Sequence, residues 1–321
     1  MDAVPPALRA PRKLLFIVGF PRSGTTWLRA LLAAHPDVAA LEAESYVFDD
    51  RYLNHLEATW RAERAHAAAG REPFALSAIL DQHEFDELLR RFASSVFDKI
   101  AQPRPGVALV VEKTPTHAHH APLILRLFPE AYFLHIIRDP REVYCSTRAA
   151  ARGWGRFWAS EDAVDVTRRW RLLLDDALAI AHLTPRYRQL RYEDLLTDTP
   201  GGIEALFGWL GLEHDTALCR KIVEACSLEK LRERWSHNPA FFRRGAAAGW
   251  REELARPELA LVEYIAGERM QALGYELAVA PRRKPLRLRL RDVVARLASG
   301  AARDLQALAD GPLGSGGRRS S

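Results

Sequence analysis

Short apolar runs alternate with helix-like patterns through much of the chain. A continuous apolar run is typical of a strand buried in a parallel sheet, and apolar residues at helical spacing are typical of a helix packed on that sheet. This strand-then-helix pattern occurs three times, at 14–19 and 26–34, 107–111 and 118–128, and 132–137 and 140–151. Parallel strands connected by helices have right-handed crossovers. We therefore predict an α/β fold with a central parallel sheet flanked by helices.

The remaining patterns divide the chain into a main domain, a cap and two ends. Residues 49–102 are helical in pattern and predict an inserted cap. Further elements are predicted as a strand at 187–192 and as helices at 162–182, 202–210, 216–225 and 257–273. We predict a flexible N-terminus over 1–12, one globular domain over 13–280, and a basic, partly disordered tail over 281–321.

The composition suits a globular protein whose basic charge is concentrated at one end. The chain has 321 residues, of which 48% are hydrophobic and 27% are charged, and its formal net charge is +5. From Pro281 onward, ten Lys or Arg face three Asp, so this tail carries +7 and the rest of the chain is near −2. A body without excess positive charge argues against nucleic-acid binding.

The cysteine content and the hydropathy of the chain indicate in which cellular compartment the protein is expected. The three cysteines have no C-x-x-C spacing, which favours a reducing compartment and no structural zinc. No stretch approaches the roughly 18 apolar residues that a membrane span needs. A cytoplasmic location is expected, and the pattern favours no particular oligomeric state.

The turn after the first predicted strand, Gly19–Thr26, has the character of a phosphate-binding loop. A nucleotide triphosphatase of the P-loop type would carry a lysine where this chain has Thr25. Here the cation is Arg22, which can fork onto the oxygens of an anion. Gly24 permits close approach of the backbone, and Thr25 and Thr26 bring amides and hydroxyls to the helix start. The loop predicts an oxyanion clamp without an obvious metal ligand.

A second polar motif follows the strand predicted at 132–137. Arg138 leaves the strand end, and Ser146 lies about two turns into the next helix, so both can meet a phosphate on the helix flank. Asp139 and Pro140 are also typical of an ordinary helix start, which leaves a well-capped helix with a surface arginine as the alternative.

Taken together, several ordered motifs resemble those of the sulfotransferases that use 3′-phosphoadenosine 5′-phosphosulfate (PAPS). The resemblance runs from about Leu14 to Leu277 and rests on segments 19–26, 112–115, 138–146, 191–195, 243–245 and 249–250. It implies a P-loop-like sulfotransferase fold of the bacterial type. It also implies PAPS as co-substrate, the bisphosphate PAP as product, and no required metal.

The resemblance assigns binding roles to individual residues. The 5′-phosphosulfate would be held by the first loop, through Arg22, Ser23, Gly24, Thr25 and Thr26. The 3′-phosphate would be held by Arg138 and Ser146. The adenine and the 3′-phosphate would be covered by Tyr192, Arg243, Arg244 and Gly245, with either arginine making the contact.

The chemistry of sulfuryl transfer requires charge stabilisation and a base. Arg22 and Lys113, at neighbouring strand ends, would stabilise the charge that develops on the bridging oxygen. Glu44 is the favoured base, because the segment 44–48 resembles the corresponding segment of bacterial members. Glu42 is an alternative in the same segment, and His117 is another, by similarity to cytosolic small-molecule members that use a histidine shortly after the lysine.

The acceptor is expected to be a hydroxyl group of a carbohydrate or another small metabolite. Residues 45–102 and the loop around Trp154 would form its pocket. The basic tail is either a segment attracted to a membrane surface or a solvated arm. Two rival functions are a P-loop kinase or nucleotide-binding protein, and a catalytically inactive module that binds PAPS or PAP.

Overall fold

A parallel sheet of five strands organises the protein, as seen in a computed structural model that describes residues 12–234, 249–280 and 283–290. Its strands are β1 (Lys13–Val18), β2 (Val38–Ala40), β3 (Leu109–Glu112), β4 (Tyr132–Ile137) and β5 (Tyr187–Arg191). The strand order is β2-β3-β1-β4-β5, and all four pairings are parallel. The predicted α/β fold with a central parallel sheet is confirmed.

Helices connect the strands and cover the sheet. They are α1 (Thr25–Ala33), α2 (Leu53–Ala68), α3 (Gln82–Ala101), α4 (Ala121–Leu127), α5 (Pro140–Ala151), α6 (Ala163–Ala179), α7 (Tyr192–Thr197), α8 (Thr199–Leu210), α9 (Thr216–Ala225), α10 (Leu228–Arg234), α11 (Trp250–Glu253) and α12 (Arg256–Ala272). Short 3₁₀-helices occur at Ala75–Ala78, Pro115–His120 and Ile180–His182. The helix predicted over 118–128 is therefore a 3₁₀ turn followed by the short α4, and α7 and α10 were not predicted.

The central strand β1 has both faces buried. Leu15 and Ile17 point to the face that packs on α1 and α8, where they belong to a large apolar cluster. Phe16 points to the other face, where its ring stacks on Phe133 at 5.4 Å and meets Phe48 edge-on at 5.8 Å. Successive strand side chains point to opposite faces, which explains why β1 is apolar from Leu14 to Val18.

The chain separates into two compact units, which divide between Glu253 and Leu254. The first contains the whole sheet. In the second, the Glu263 carboxylate of α12 accepts hydrogen bonds from the backbone amides of Ala278, Val279 and Ala280. No helix in the described part of the chain is both long and apolar enough to span a membrane.

The carboxyl ends of the strands meet at one edge of the sheet. The turn at Gly19 follows β1, Lys113 follows β3, and Arg138 follows β4. Tyr192 follows β5 at the same edge. Open parallel sheets bind their ligands at this edge, so the fold brings together residues that are far apart in the sequence.

Candidate active site

The turn between β1 and α1 depends on two glycines. Gly19 has φ of 140°, and a Cβ there would lie 2.3 Å from the Ile136 carbonyl oxygen. Gly24 has φ of 97° and precedes α1, whose first turn no side chain of the described residues caps. The amides at the start of α1 can therefore bind an anion. The Ser23 hydroxyl is also buried with no hydrogen-bond partner among the described residues, which suits a site that receives a polar ligand.

Arg22 connects the two predicted phosphate-binding motifs. It has φ of 75°, an uncommon backbone conformation for a non-glycine residue and one that often occurs at functional sites. Its Nε donates a hydrogen bond to Ser146 Oγ at 3.0 Å. Its carbonyl oxygen accepts one from Arg138 Nη1 at 3.1 Å. The structure thus brings Arg22, Arg138 and Ser146 together on the flank of α5.

Tyr192 packs directly against this turn. The Arg138 guanidinium lies 4.3 Å from the centre of the Tyr192 ring, and Trp27 of α1 meets the same ring edge-on at 5.6 Å. A Cβ on Gly24 would lie 2.5 Å from a ring carbon of Tyr192. Burial raises the pKa of the Tyr192 phenol, so this hydroxyl stays protonated at neutral pH.

Lys113 and Glu44 form an ion pair at the end of β3. Lys113 Nζ lies 2.5 Å from Glu44 Oε1, and the two side chains are 5% and 26% exposed. Both line a pocket of about 550 Å³ whose wall also contains Arg22, Thr25 and Thr26. The structure therefore places the predicted charge-stabilising lysine and the favoured base in one pocket, beside the turn that follows β1.

Glu112 holds the segment that carries Glu44. Its carboxylate accepts hydrogen bonds from the Ser45 amide at 3.2 Å, from the Ser45 hydroxyl at 2.8 Å and from the Thr114 hydroxyl at 2.7 Å. Burial alone would raise the pKa of Glu112, but the adjacent His117 and these hydroxyls lower it to about 2. Glu112 is thus a buried, charged anchor, a role that its place in the segment 112–115 does not predict.

His117 is fully buried, and both of its ring nitrogens face protein groups. Its Nδ1 lies 2.8 Å from the Glu112 carboxylate, and its Nε2 accepts a hydrogen bond from the Phe48 amide at 3.3 Å. His117 does not line the pocket that Glu44 and Lys113 share. Glu42 does line that pocket.

Aromatic and basic residues form the rest of the pocket wall. Trp154 and Trp158, from the loop after α5, lie 5.4 Å apart by ring centre, and the Arg22 guanidinium lies 5.4 Å from the Trp154 ring. Tyr46, Asp49, Arg51 and Arg169 also line the pocket. Arg169 belongs to α6 and lies in no motif, so only the tertiary structure reveals its position.

The predicted residues Arg243, Arg244 and Gly245 lie outside the described residues. Trp250 follows them and is held on α5: its amide donates to Glu142 Oε1 at 2.8 Å, and the Arg141 guanidinium lies 3.8 Å from its ring centre. No group of three His, Cys, Asp or Glu that could hold a metal ion occurs within 12–234, 249–280 or 283–290.

The sequence is similar to one family of known proteins. A family model described as the sulfotransferase family matches residues 15–216. The chain is 36% identical over 116 residues to omega-hydroxy-beta-dihydromenaquinone-9 sulfotransferase Stf3 of Mycobacterium bovis, covering 32% of this chain and 29% of that protein. It is 33% identical over 129 residues to protein-tyrosine sulfotransferase 1 of Mus musculus, covering 40% of this chain and 32% of that protein. The chain spans about a third of the length of these relatives.

Solved structures show the same fold at low sequence identity. The sulfotransferase domain from the Synechococcus PCC 7002 olefin synthase superposes with a TM-score of 0.52 and 20% identity, covering 86% of this chain and all of that domain. Mouse sulfotransferase SULT7A1, complexed with PAP, superposes with a TM-score of 0.50 and 14% identity, covering 83% of this chain and 87% of that one.

Proposed function

Because the chain belongs to the sulfotransferase family, we propose that it transfers a sulfuryl group from PAPS to a hydroxyl group of a carbohydrate or another small metabolite. The observation that carries this proposal is the hydrogen bond of 3.0 Å between Arg22 and Ser146. It brings the two predicted phosphate-binding motifs into contact at one sheet edge. A ligand with phosphate groups at both the 5′ and 3′ positions of one ribose needs two anion sites that are close together.

In this proposal, the turn after β1 holds the 5′-phosphosulfate. The uncapped amides of α1, the Arg22 guanidinium and the hydroxyls of Ser23, Thr25 and Thr26 are its donors. Arg138 and Ser146 bind the 3′-phosphate. Tyr192 lies against the turn and borders the adenine site, which Arg243, Arg244 and Gly245 complete.

The proposed reaction is an in-line transfer. The acceptor oxygen forms a bond to sulfur while the bond between sulfur and the bridging oxygen of the 5′-phosphate breaks. The electron pair of that bond stays on PAP, and Lys113 and Arg22 stabilise the charge that develops on its oxygen. The proton of the acceptor hydroxyl passes to Glu44, which acts as general base.

The pairing of Lys113 with Glu44 supports these roles. In the absence of substrate, the two side chains compensate each other's charge in a partly buried site. Movement of Lys113 Nζ toward the leaving oxygen would free the carboxylate to accept a proton. Glu42 lines the same pocket without a described ion pair, and His117 is buried behind the pocket wall, so the geometry favours Glu44 over both alternatives.

The experiment that tests the proposal is transfer of label from ³⁵S-PAPS. The protein is incubated with a panel of hydroxylated carbohydrates and small metabolites, and labelled products are separated and identified by mass. We expect transfer to at least one acceptor and its loss in Arg22→Ala. A protein that binds PAP but transfers no label to any acceptor or to water would instead be the inactive binding module.

A further inference from the structure

A second cavity, of about 280 Å³, lies between α1, the end of β2 and the segment that follows α3. Alanines from α1 and β2 form much of its wall, and three arginines also line it: Arg29, Arg104 and Arg234. Neither phosphate-binding motif contributes to this wall. The cavity is therefore separate from the proposed nucleotide site.

Arg29 is buried in this wall without an ion-pair partner among the described residues. The residue is 5% exposed, and its Nε is buried with no hydrogen-bond partner among the described residues. No described carboxylate forms an ion pair with it. Burial lowers the pKa of the guanidinium, and the charge of Glu42 acts in the opposite direction. A buried guanidinium nitrogen without a hydrogen-bond partner is costly, and such groups in native proteins call for an explanation.

The surroundings of Arg29 favour an anion. Arg104 is fixed at the cavity, because its Nη1 donates hydrogen bonds to the backbone oxygens of Ala33 and Val38, both at 2.9 Å. Arg234 adds a further positive charge. Glu42 is the one acidic residue among the described lining residues, so positive charge is in excess.

We propose that this cavity binds a compact oxyanion, a sulfate, phosphate or carboxylate group, on the guanidinium of Arg29. The cavity is smaller than the pockets of several hundred Å³ that hold drug-sized ligands, which suits a small group better than a nucleotide. The oxyanion is either a free inorganic ion or a group carried by a larger molecule. Glu42 lines both this cavity and the pocket of Lys113, so a larger molecule could reach from one to the other.

The test is a calorimetric titration of the full chain with sodium selenate and, separately, with sodium glutarate, at constant ionic strength. Each titration is done with and without saturating PAP, which occupies the proposed phosphate sites. In the presence of PAP, we expect Arg29→Met to weaken oxyanion binding by at least about tenfold, as loss of a charge-assisted hydrogen bond implies. Arg171→Met, on the exposed part of α6, is the matched control and should bind like the unmodified protein.

A second variant keeps the test independent of how well Arg29→Met folds. Glu42→Gln removes negative charge from the cavity and should tighten oxyanion binding. Tighter binding of selenate than of glutarate would indicate a free inorganic ion, and the reverse would indicate a group on a larger molecule. Equal affinity of Arg29→Met and the unmodified protein, or no binding of either probe to the unmodified protein, would overturn the proposal. Neither readout depends on sulfuryl transfer.

Discussion

At the scale of single residues, Lys113 and Glu44 form an ion pair in the structure but have separate roles in the proposed reaction. Their contact of 2.5 Å keeps the carboxylate at the pocket wall and the ammonium next to the turn that follows β1. Such an ion pair separates when one of its two groups can form a stronger electrostatic contact. The leaving oxygen of PAPS would be that partner for Lys113.

Glu44→Gln should therefore lower kcat strongly while leaving nucleotide binding nearly unchanged. Loss of a general base reduces the rate by about 10²–10⁴-fold. Steady-state transfer assays give kcat, and calorimetry gives the Kd for PAP. Glu42→Gln is the matched control, since it changes a carboxylate of the same segment and the same pocket. An active Glu44→Gln together with an inactive Glu42→Gln would reassign the base to Glu42.

Glu112 should couple stability to pH. Its folded-state pKa of about 2 lies below its ordinary value of 4.5. The charged form is therefore favoured by folding, so its contribution is fully present above the unfolded value and is lost as pH falls from 4.5 through 2. In urea unfolding, Glu112→Gln should be less stable than the unmodified protein at pH 7, and the difference should shrink as pH falls through this range.

The exposed Glu161→Gln provides the control for that comparison, because its partner Arg152 is also exposed. It should change stability little at any pH. Glu112→Gln should also lower kcat more than it weakens PAP binding, since Ser45 and Glu44 would lose their anchor. A stability difference that stays constant from pH 7 to pH 3 would contradict the role given to the Glu112 charge.

At the scale of elements, the turn between β1 and α1 requires glycine for two separate reasons. Gly24 combines φ of 97° with a distance of 2.5 Å between a built Cβ and the Tyr192 ring. Gly70, at the end of α2, has φ of 76° but nothing within 4 Å of a built Cβ. Comparing Ala substitutions at these two glycines therefore separates the cost of the left-handed backbone from the cost of the steric clash.

Gly24→Ala should thus destabilise the protein more than Gly70→Ala does. Both substitutions strain a left-handed backbone, but only the first also pushes on a packed ring, which adds about 1–3 kcal/mol. Urea unfolding measures both costs, and calorimetry should show weaker PAP binding for Gly24→Ala only. Equal destabilisation by the two substitutions would contradict the close packing of Tyr192 on the turn.

Elements with a strong local pattern could be predicted from the sequence, and tertiary contacts could not. β1 is a clear apolar run, α1 and α5 have clear helical periodicity, and the spacing from Arg138 to Ser146 predicts that both side chains meet beside one flank of α5. The six-residue α7 is too short for its periodicity to be visible. The sequence favoured Glu44 as the base but left Glu42 and His117 open, because the segment of Glu44 is irregular, with Tyr46 at φ of 54°. The contact of Glu44 with Lys113 is a tertiary one that the sequence does not show. The helical pattern of α1 is ordinary and does not predict that Arg29 is buried.

At the scale of the whole molecule, the strand order explains how distant segments form one site. β1 lies between β3 and β4, so the turn after β1 is flanked by Lys113 on one side and Arg138 on the other. In a triphosphatase, the positive charge comes from a lysine in the loop and from a metal ion. In this chain it comes from Arg22, Lys113 and Arg138, which follow three different strands. This distribution suits a ligand with separate 5′ and 3′ anions better than it suits a linear triphosphate.

The two proposed phosphate sites are tested most directly by calorimetry with three ligands: adenosine 3′,5′-bisphosphate, adenosine 5′-monophosphate, and ATP with Mg²⁺. We expect the bisphosphate to bind most tightly, without added metal, and its advantage over the monophosphate to disappear in Arg138→Ala. Tighter binding of ATP with Mg²⁺, or an equal affinity for the bisphosphate and the monophosphate, would contradict the assignment of two phosphate sites at this sheet edge.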